Sequence, residues 1–380
     1  MASTVTIADA MDARDAYLAT LRDLVEHESP TGDKRAVDAL GGRLERVLTE
    51  RGWSVRRHER ERVGDVLQAT RRGAGGPSTL LLAHMDTVWP LGTLERMPVR
   101  DDGERFWGPG SLDMKAGIAT AVHAVDLLTA KGAAPAGDVT LLVTTDEETG
   151  SHHSRDLIEE LAREHDRVLV LEPGRDDGAL KVGRKGVGGY TVTFQGRSAH
   201  AGNDPAGGAS ALRELAHFLL FVEDLADGVA GTTVNLTVAR GGMASNVIAE
   251  EAVGTVDLRV LKASEAERVD AAVRGYRPRD ERVAVSVAGG LNRPPLEQTP
   301  GNAALFASAV AAGRALGLEV TGAVVGGGSD GNFTSALGVP TLDGLGSVGG
   351  GPHARDEHVH VAKTLERVAL LAGLLAGAGS

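Results

Sequence analysis

The 380-residue chain contains no cysteine. That excludes disulfides, a thiol nucleophile and thiolate metal sites. Any metal would have to be held by His, Asp, Glu or water, donors that suit hard or borderline divalent ions such as Zn²⁺, Co²⁺ or Mn²⁺. A clustered stripe of Lys and Arg is also missing. With 40 basic and 52 acidic residues the formal net charge is −12, so neither nucleic acid nor an anionic membrane is expected as a partner. No apolar run reaches the roughly 20 residues of a membrane span. The nearest candidate, VALLAGLLAGAG near the C-terminus, reads as a core-facing helix. MASTVTIADAMDARDA carries acidic residues where a secretory signal would have a basic region and an apolar block, and a cytoplasmic location is expected. There are no internal repeats.

What is present has the balance of an ordinary globular protein, with 42% hydrophobic and 24% charged residues, and the length favours two domains over one. The runs STLLLAHMD, DVTLLVTTDE and RVLVLEPG read as buried strands, with MKAGIATAVHAVDLLTAKG and SRDLIEELAREH as helices between them. Strands that are nearly continuous apolar runs, alternating with helices, predict an α/β domain with a largely parallel sheet covered on both faces. After Lys185 the texture changes. YTVTFQG, ALRELAHFLLFVEDLA, TTVNLTVARGG, NVIAEEAVGTVDLRVL, SEAERVDAAVRGY and RVAVSVAGG follow in the order β-α-β-β-α-β, the ferredoxin-like unit. The expected organisation is a discontinuous α/β domain, residues 1–187 and 295–380, interrupted by a small α+β domain at 188–294.

Ligands of open α/β sheets bind beyond the carboxyl ends of the strands. That rule collects His84 and Asp86, then Asp146, Glu147 and Glu148, then Glu172, each group at the end of one predicted strand. Asp113 lies in the loop GPGSLDMKAG before a helix, and His353 in the late loop GGGPHARDEHV. Carboxylates gathered this closely repel one another, and the simplest remedy is one divalent cation, or two that share a bridging carboxylate. Each motif alone has a plain alternative, since HMD could be an ordinary surface histidine and DEE a solvated helix start. Their joint placement on one rim argues against coincidence.

AHMDTV, GPGSLDMKAG, TTDEETGS, LEPG, GRSAHAG and GPHARDEHV, in this order, resemble the motif set of the M20 metallopeptidases, and TTDEETGSHHSRDLI is similar to their glutamate carboxypeptidase branch. The resemblance covers nearly the whole chain. It implies a phosphorylase/hydrolase-like zinc-exopeptidase catalytic domain with a mixed, largely parallel sheet, and an inserted lid or dimerisation domain. It further implies two Zn²⁺ ions per chain, with Co²⁺ or Mn²⁺ as possible substitutes. Asp113 would bridge them, His84 and Glu172 completing one site, Glu148 and His353 the other. Glu147 would be the general base and Asp86 the carboxylate that fixes the His84 tautomer. His200 would stabilise the oxyanion from the partner subunit of a homodimer formed through the lid. A cis peptide between Asp113 and Met114 is implied as well.

The same resemblance places Asn246 and Arg293 at the substrate's terminal carboxylate, and an Arg fork suits that group. The turn GGGSDGN, with Gly328 and Ser329, could offer backbone N–H groups to the same anion. The expected reaction is hydrolysis of an amide in a small peptide or N-acyl amino acid, most simply release of a C-terminal glutamate or similar residue. The alternatives are an acetylornithine or succinyl-diaminopimelate type of deacylase and a non-catalytic metal-binding scaffold. A base without a ligand role, Glu147, favours the enzyme. Asp146 has no assigned role, and His152 and His153 read as surface or supporting groups.

Overall fold

The computed structural model describes residues 5–377. Residues 1–4 and 378–380, which include the outer ends of the two terminal stretches read above, lie outside the described residues. The chain divides into two compact units. The larger comprises the chain up to Gly183, then Gln298–Val325 and Ser329 onward; the smaller comprises Arg184–Glu297 with residues 326–328.

The larger unit is built on a six-stranded sheet in the order Ser54–His58, Val66–Arg71, Gly137–Thr144, Gly76–His84, Arg167–Val170, Thr341–Leu342. The first two strands are antiparallel to their neighbours, and the other four run parallel. The sheet is therefore mixed and largely parallel, as the apolar runs predict. Side chains alternate across it. Leu81, Ala83, Leu141, Val143 and Leu169 join one core cluster, while Leu80, Leu82, Leu142, Val168 and Val170 join another, so both faces are dry. On the first face lies the helix Ala116–Ala130, buried over nearly its whole length, with Val361–Leu375 packed against it. The other face carries Arg155–Arg163 and Phe333 of the short helix Gly331–Ala336.

A close fit holds the first face. A methyl group added at Gly117 or Gly346 would run into the carbonyl oxygen of Leu171, the residue before Glu172. Small residues there let the helix and the loop approach the strand end that carries Glu172.

Two short sheets lie outside the main one. In the first, the strand Gly322–Val325 pairs with Leu180–Arg184. A separate small sheet joins Gly349–Gly350, His358–His360, Arg105–Trp107 and Arg100–Asp101. Strands of two or three residues are too short to carry a periodic signal.

In the smaller unit the strands Thr233–Gly241, Glu251–Val260, Gly186–Gln195 and Ala284–Arg293 lie in that order, all antiparallel. With helices Ala211–Glu223 and Ala263–Gly275 this is the ferredoxin-like arrangement read from the sequence. Tyr190, Val192 and Phe194 alternate inward along the strand Gly186–Gln195 and meet Phe218 and Val269 of the two helices. Among the described residues no helix is long and apolar enough to cross a membrane.

Candidate metal centre

His84 is the last residue of a central strand and is 1% exposed. Its Nδ1 donates to the backbone carbonyl of Asp86 at 3.0 Å, which leaves the Nε2 lone pair of the neutral ring facing outward. Nε2 lies 3.3 Å from Asp113 Oδ1 and 3.5 Å from Glu172 Oε1. The Asp86 carboxylate sits farther from Nδ1, at 3.4 Å, and has other work. It accepts from Thr31 Oγ1 at 2.8 Å and from the backbone N–H groups of Glu147 and Glu148, both at 3.3 Å. Asp86 thus steers His84 through its carbonyl and uses its carboxylate to set the turn that presents Glu147 and Glu148.

Asp113 lies where regular helix fails. It and Met114 have non-helical backbone angles just ahead of Ala116–Ala130, and their shared peptide bond is cis. The two carboxylate oxygens face different histidines: Oδ1 faces His84, and Oδ2 lies 3.3 Å from His353 Nε2. His353, at φ +60°, is half exposed, and its Nε2 is also 3.3 Å from Glu148 Oε2. Two groups of three potential ligand atoms result, His84–Asp113–Glu172 and Asp113–Glu148–His353, each with its atoms within 4.8 Å of one another. Asp113 belongs to both.

Burial opposes a charge on either Asp113 or His84, and their partners outweigh it. His353 and His84 hold the Asp113 carboxyl well below its ordinary range, while Asp113, Asp86 and Glu172 hold His84 well above its own. Asp113 and Glu148 raise His353 to about 10. Glu148 moves up, because its burial exceeds the help from His353. The cluster has more negative charge than its own groups neutralise easily, the situation a bound cation resolves. One further observation tests the fit. Glu148 Oε1 is buried with no hydrogen-bond partner, an orphaned oxygen that a metal ion would satisfy. Two imidazoles and three carboxylates form an appropriate donor set for a pair of borderline divalent ions.

The remaining residues divide clearly. Glu147, half buried, opens the 3₁₀ turn Glu147–Thr149, its backbone N–H held by the Asp86 carboxylate, and directly precedes Glu148. Asp146 turns inward: it is fully buried and accepts from the His153 backbone N–H at 2.7 Å and from Ser154 Oγ, which fixes the start of Arg155–Arg163. His152 and His153 are exposed. Ser329 is buried, its hydroxyl donating to Asp343 at 2.6 Å and its amide to Asn332 Oδ1 at 2.9 Å, so both of its donors are engaged inside the fold.

Within the smaller unit, exposed His200 accepts at Nδ1 from the backbone N–H groups of Gly202 and Asn203, at 3.1 and 3.0 Å. Its neutral form must therefore carry the proton on Nε2, where it is a donor. The backbone carbonyl of exposed Asn246 accepts from the Ala201 backbone N–H. Arg293 is 4% exposed, and Gly328 lies so close that an added methyl would sit 3.0 Å from its Cδ. The neighbouring turn meets Arg184 with carbonyls: Arg184 Nη1 donates to Gly327 and Gly328 oxygens at 3.2 and 3.1 Å.

One residue escaped the sequence reading. Glu357, only 1% exposed, accepts from Trp89 Nε1 and the Gly110 amide on one oxygen, each at 2.9 Å, and from the Leu112 and Asp113 amides on the other, at 2.9 and 3.1 Å. It clamps the loop that carries Asp113. Burial pushes its carboxyl up to about 7 despite those four donors.

Comparison with known proteins agrees with this geometry. Residues 80–377 match the model of peptidase family M20/M25/M40. The chain is 34% identical to carboxypeptidase G2 of Pseudomonas sp. (strain RS-16), over 98% of this chain and 91% of that one. It is 31% identical to succinyl-diaminopimelate desuccinylase of Stutzerimonas stutzeri, over 76% and 79% of the two chains. Among solved structures, aminopeptidase PepT from Bacillus cereus superposes with a TM-score of 0.82 at 20% identity, covering 97% of this chain and 99% of its own.

Proposed function

Because the chain belongs to the metallopeptidases of family M20/M25/M40, we propose that it is a di-zinc carboxypeptidase that releases a C-terminal glutamate or similar acidic residue. Its supporting observation is Asp113, whose two oxygens face the histidines of two separate ligand groups. His84, Asp113 and Glu172 would hold one ion, and Asp113, Glu148 and His353 the other. When bound, such ions lower the pKa of nearby water and polarise an amide carbonyl.

The chain's own groups do the rest. Glu147, presented by the turn that Asp86 holds, accepts the proton of the attacking water and passes it to the leaving amine. His200, with its proton on Nε2, donates to the developing oxyanion from a second copy of the chain, so the Arg184–Glu297 unit serves as lid and dimerisation domain. Arg293 and Asn246 take the substrate's terminal carboxylate. Gly328 leaves room for Arg293 to reach it, and Ser329 supports that loop from inside. A cytoplasmic location accompanies this reading.

The desuccinylase relative favours one second reading, a deacylase acting on N-acyl amino acids. Hydrolysis of dipeptides and N-acyl-glutamates, set beside N-acetyl-ornithine and N-succinyl-diaminopimelate, separates the two. Glu147→Gln is the internal control. It should keep its metal and lose turnover by a hundredfold or more; near-normal turnover removes Glu147 from its role.

A further inference from the structure

Beside the metal centre, in the same unit, lies a cavity of about 500 Å³ that none of these roles uses. That size suits a small organic ligand. Its walls include two of the chain's three tryptophans, Trp89 and Trp107, and three arginines, Arg96, Arg100 and Arg355. The third tryptophan, Trp53, is buried in the core. Trp89 is fixed in orientation, because its Nε1 donates to Glu357. The Arg100 guanidinium carbon lies 3.7 Å from the centre of the Trp107 ring, a stacked cation–π contact that leaves the guanidinium edges available.

The charge pattern is the informative feature. The chain has a net charge of −12, and in this unit Arg43, Arg51, Arg57 and Arg155 each find a carboxylate. Arg96, Arg100 and Arg355 have no ion-pair partner among the described residues, although they share one cavity. The one carboxylate in the wall, Glu357, is already engaged by four N–H donors. Three unpaired cations around one space repel each other, and guanidinium forks match carboxylate oxygens in geometry. The Trp89 indole adds flat apolar surface, and the Trp107 ring backs the Arg100 guanidinium as a flat, stacked support.

We infer that this cavity is a binding site for a planar organic anion, an aromatic carboxylate, gripped by Arg96, Arg100 and Arg355 against Trp89 and Trp107. Such an anion could arrive as a remote part of the hydrolysed substrate or as a separate small molecule. The inference does not depend on which amide the metal centre cleaves.

Because two of three tryptophans line the cavity, intrinsic fluorescence reports on it directly, without turnover. Titration with 4-nitrobenzoate, a planar quenching anion, should give saturable quenching, and neutral 4-nitrobenzamide should bind at least tenfold more weakly. The double variant Arg100→Gln with Arg355→Gln changes only exposed side chains, and its retained fold is checked by thermal unfolding. It should weaken 4-nitrobenzoate binding at least tenfold. Equal quenching by acid and amide, or wild-type affinity in the double variant, overturns the site. So does binding that survives the arginine changes but vanishes in Asp113→Asn, since the probe would then be sitting at the metal centre. Competitive inhibition of hydrolysis, relieved in the double variant, identifies the anion as part of the substrate; quenching without competitive inhibition identifies a separate ligand, and either result upholds the pocket.

Discussion

Replacing Glu357 with glutamine removes a charge and almost no volume, and it should weaken both the fold and the metal centre. The carboxylate receives two N–H donors on each oxygen. An amide has only one accepting oxygen, so whichever way it turns, two of the four donors face its NH₂ group. Each lost hydrogen bond to a charged acceptor is worth about 1.5–3 kcal/mol. Burial pushes the carboxyl up to about 7, so the charge is itself held against resistance, and the lower end applies. About 3 kcal/mol is the expected loss, roughly a 5 °C drop in Tm for a unit of this size. One of the donors is the Asp113 amide, so loosening it displaces the carboxylate proposed to bridge the two ions. A tenfold or greater loss of metal affinity should accompany the lower Tm, by analogy with other groups that orient metal ligands. Thermal unfolding of metal-depleted protein at pH 8 measures the first effect, and titration with Zn²⁺ against a competing chelator measures the second. A variant with wild-type Tm and wild-type affinity refutes the clamp.

His123 tests a proton linkage away from the metal centre. It is 4% exposed, lies 3.0 Å from Thr20 Oγ1, and burial lowers it to about 4. Unfolded, it takes up a proton near its ordinary 6.5, so the stability it contributes is complete above that pH and drains away as the pH falls toward 4, by at most about 3 kcal/mol. Denaturant unfolding of His123→Gln should show a flatter pH profile across that window; an unchanged slope excludes His123 as its source. Gly117→Ala should destabilise the protein by about 1–3 kcal/mol, because the new methyl meets the Leu171 carbonyl. Its metal affinity should fall too, since Glu172 is the next residue, whereas Gly132→Ala, at a position with open space but φ +68°, should cost stability alone.

Much of this arrangement was legible in the chain. His84 and Glu172 could be placed because buried parallel strands are continuous apolar runs, and such sheets bind ligands beyond their carboxyl ends. The ferredoxin-like order was legible because each of its strands alternates and each helix has an apolar stripe. Glu357 was not, for a physical reason. Its contact with the Asp113 amide spans 244 residues, and a glutamate in a charged loop gives no local sign that four donors will converge on it. The acidic run gave Asp146 no role, and its side chain turns into the fold to hold the His153 amide, while the Ser329 hydroxyl turns inward to Asp343. Chain order assigns a residue to a rim, but only packing decides which way it faces.

The central proposition is that Asp113 is shared by two cation sites. Metal content of Asp113→Asn, measured by elemental analysis beside wild type and Glu147→Gln, addresses it most directly. The account predicts about two ions per chain for wild type and Glu147→Gln, and a loss from both sites together in folded Asp113→Asn. An Asp113→Asn protein that still carries two ions at wild-type affinity would contradict it.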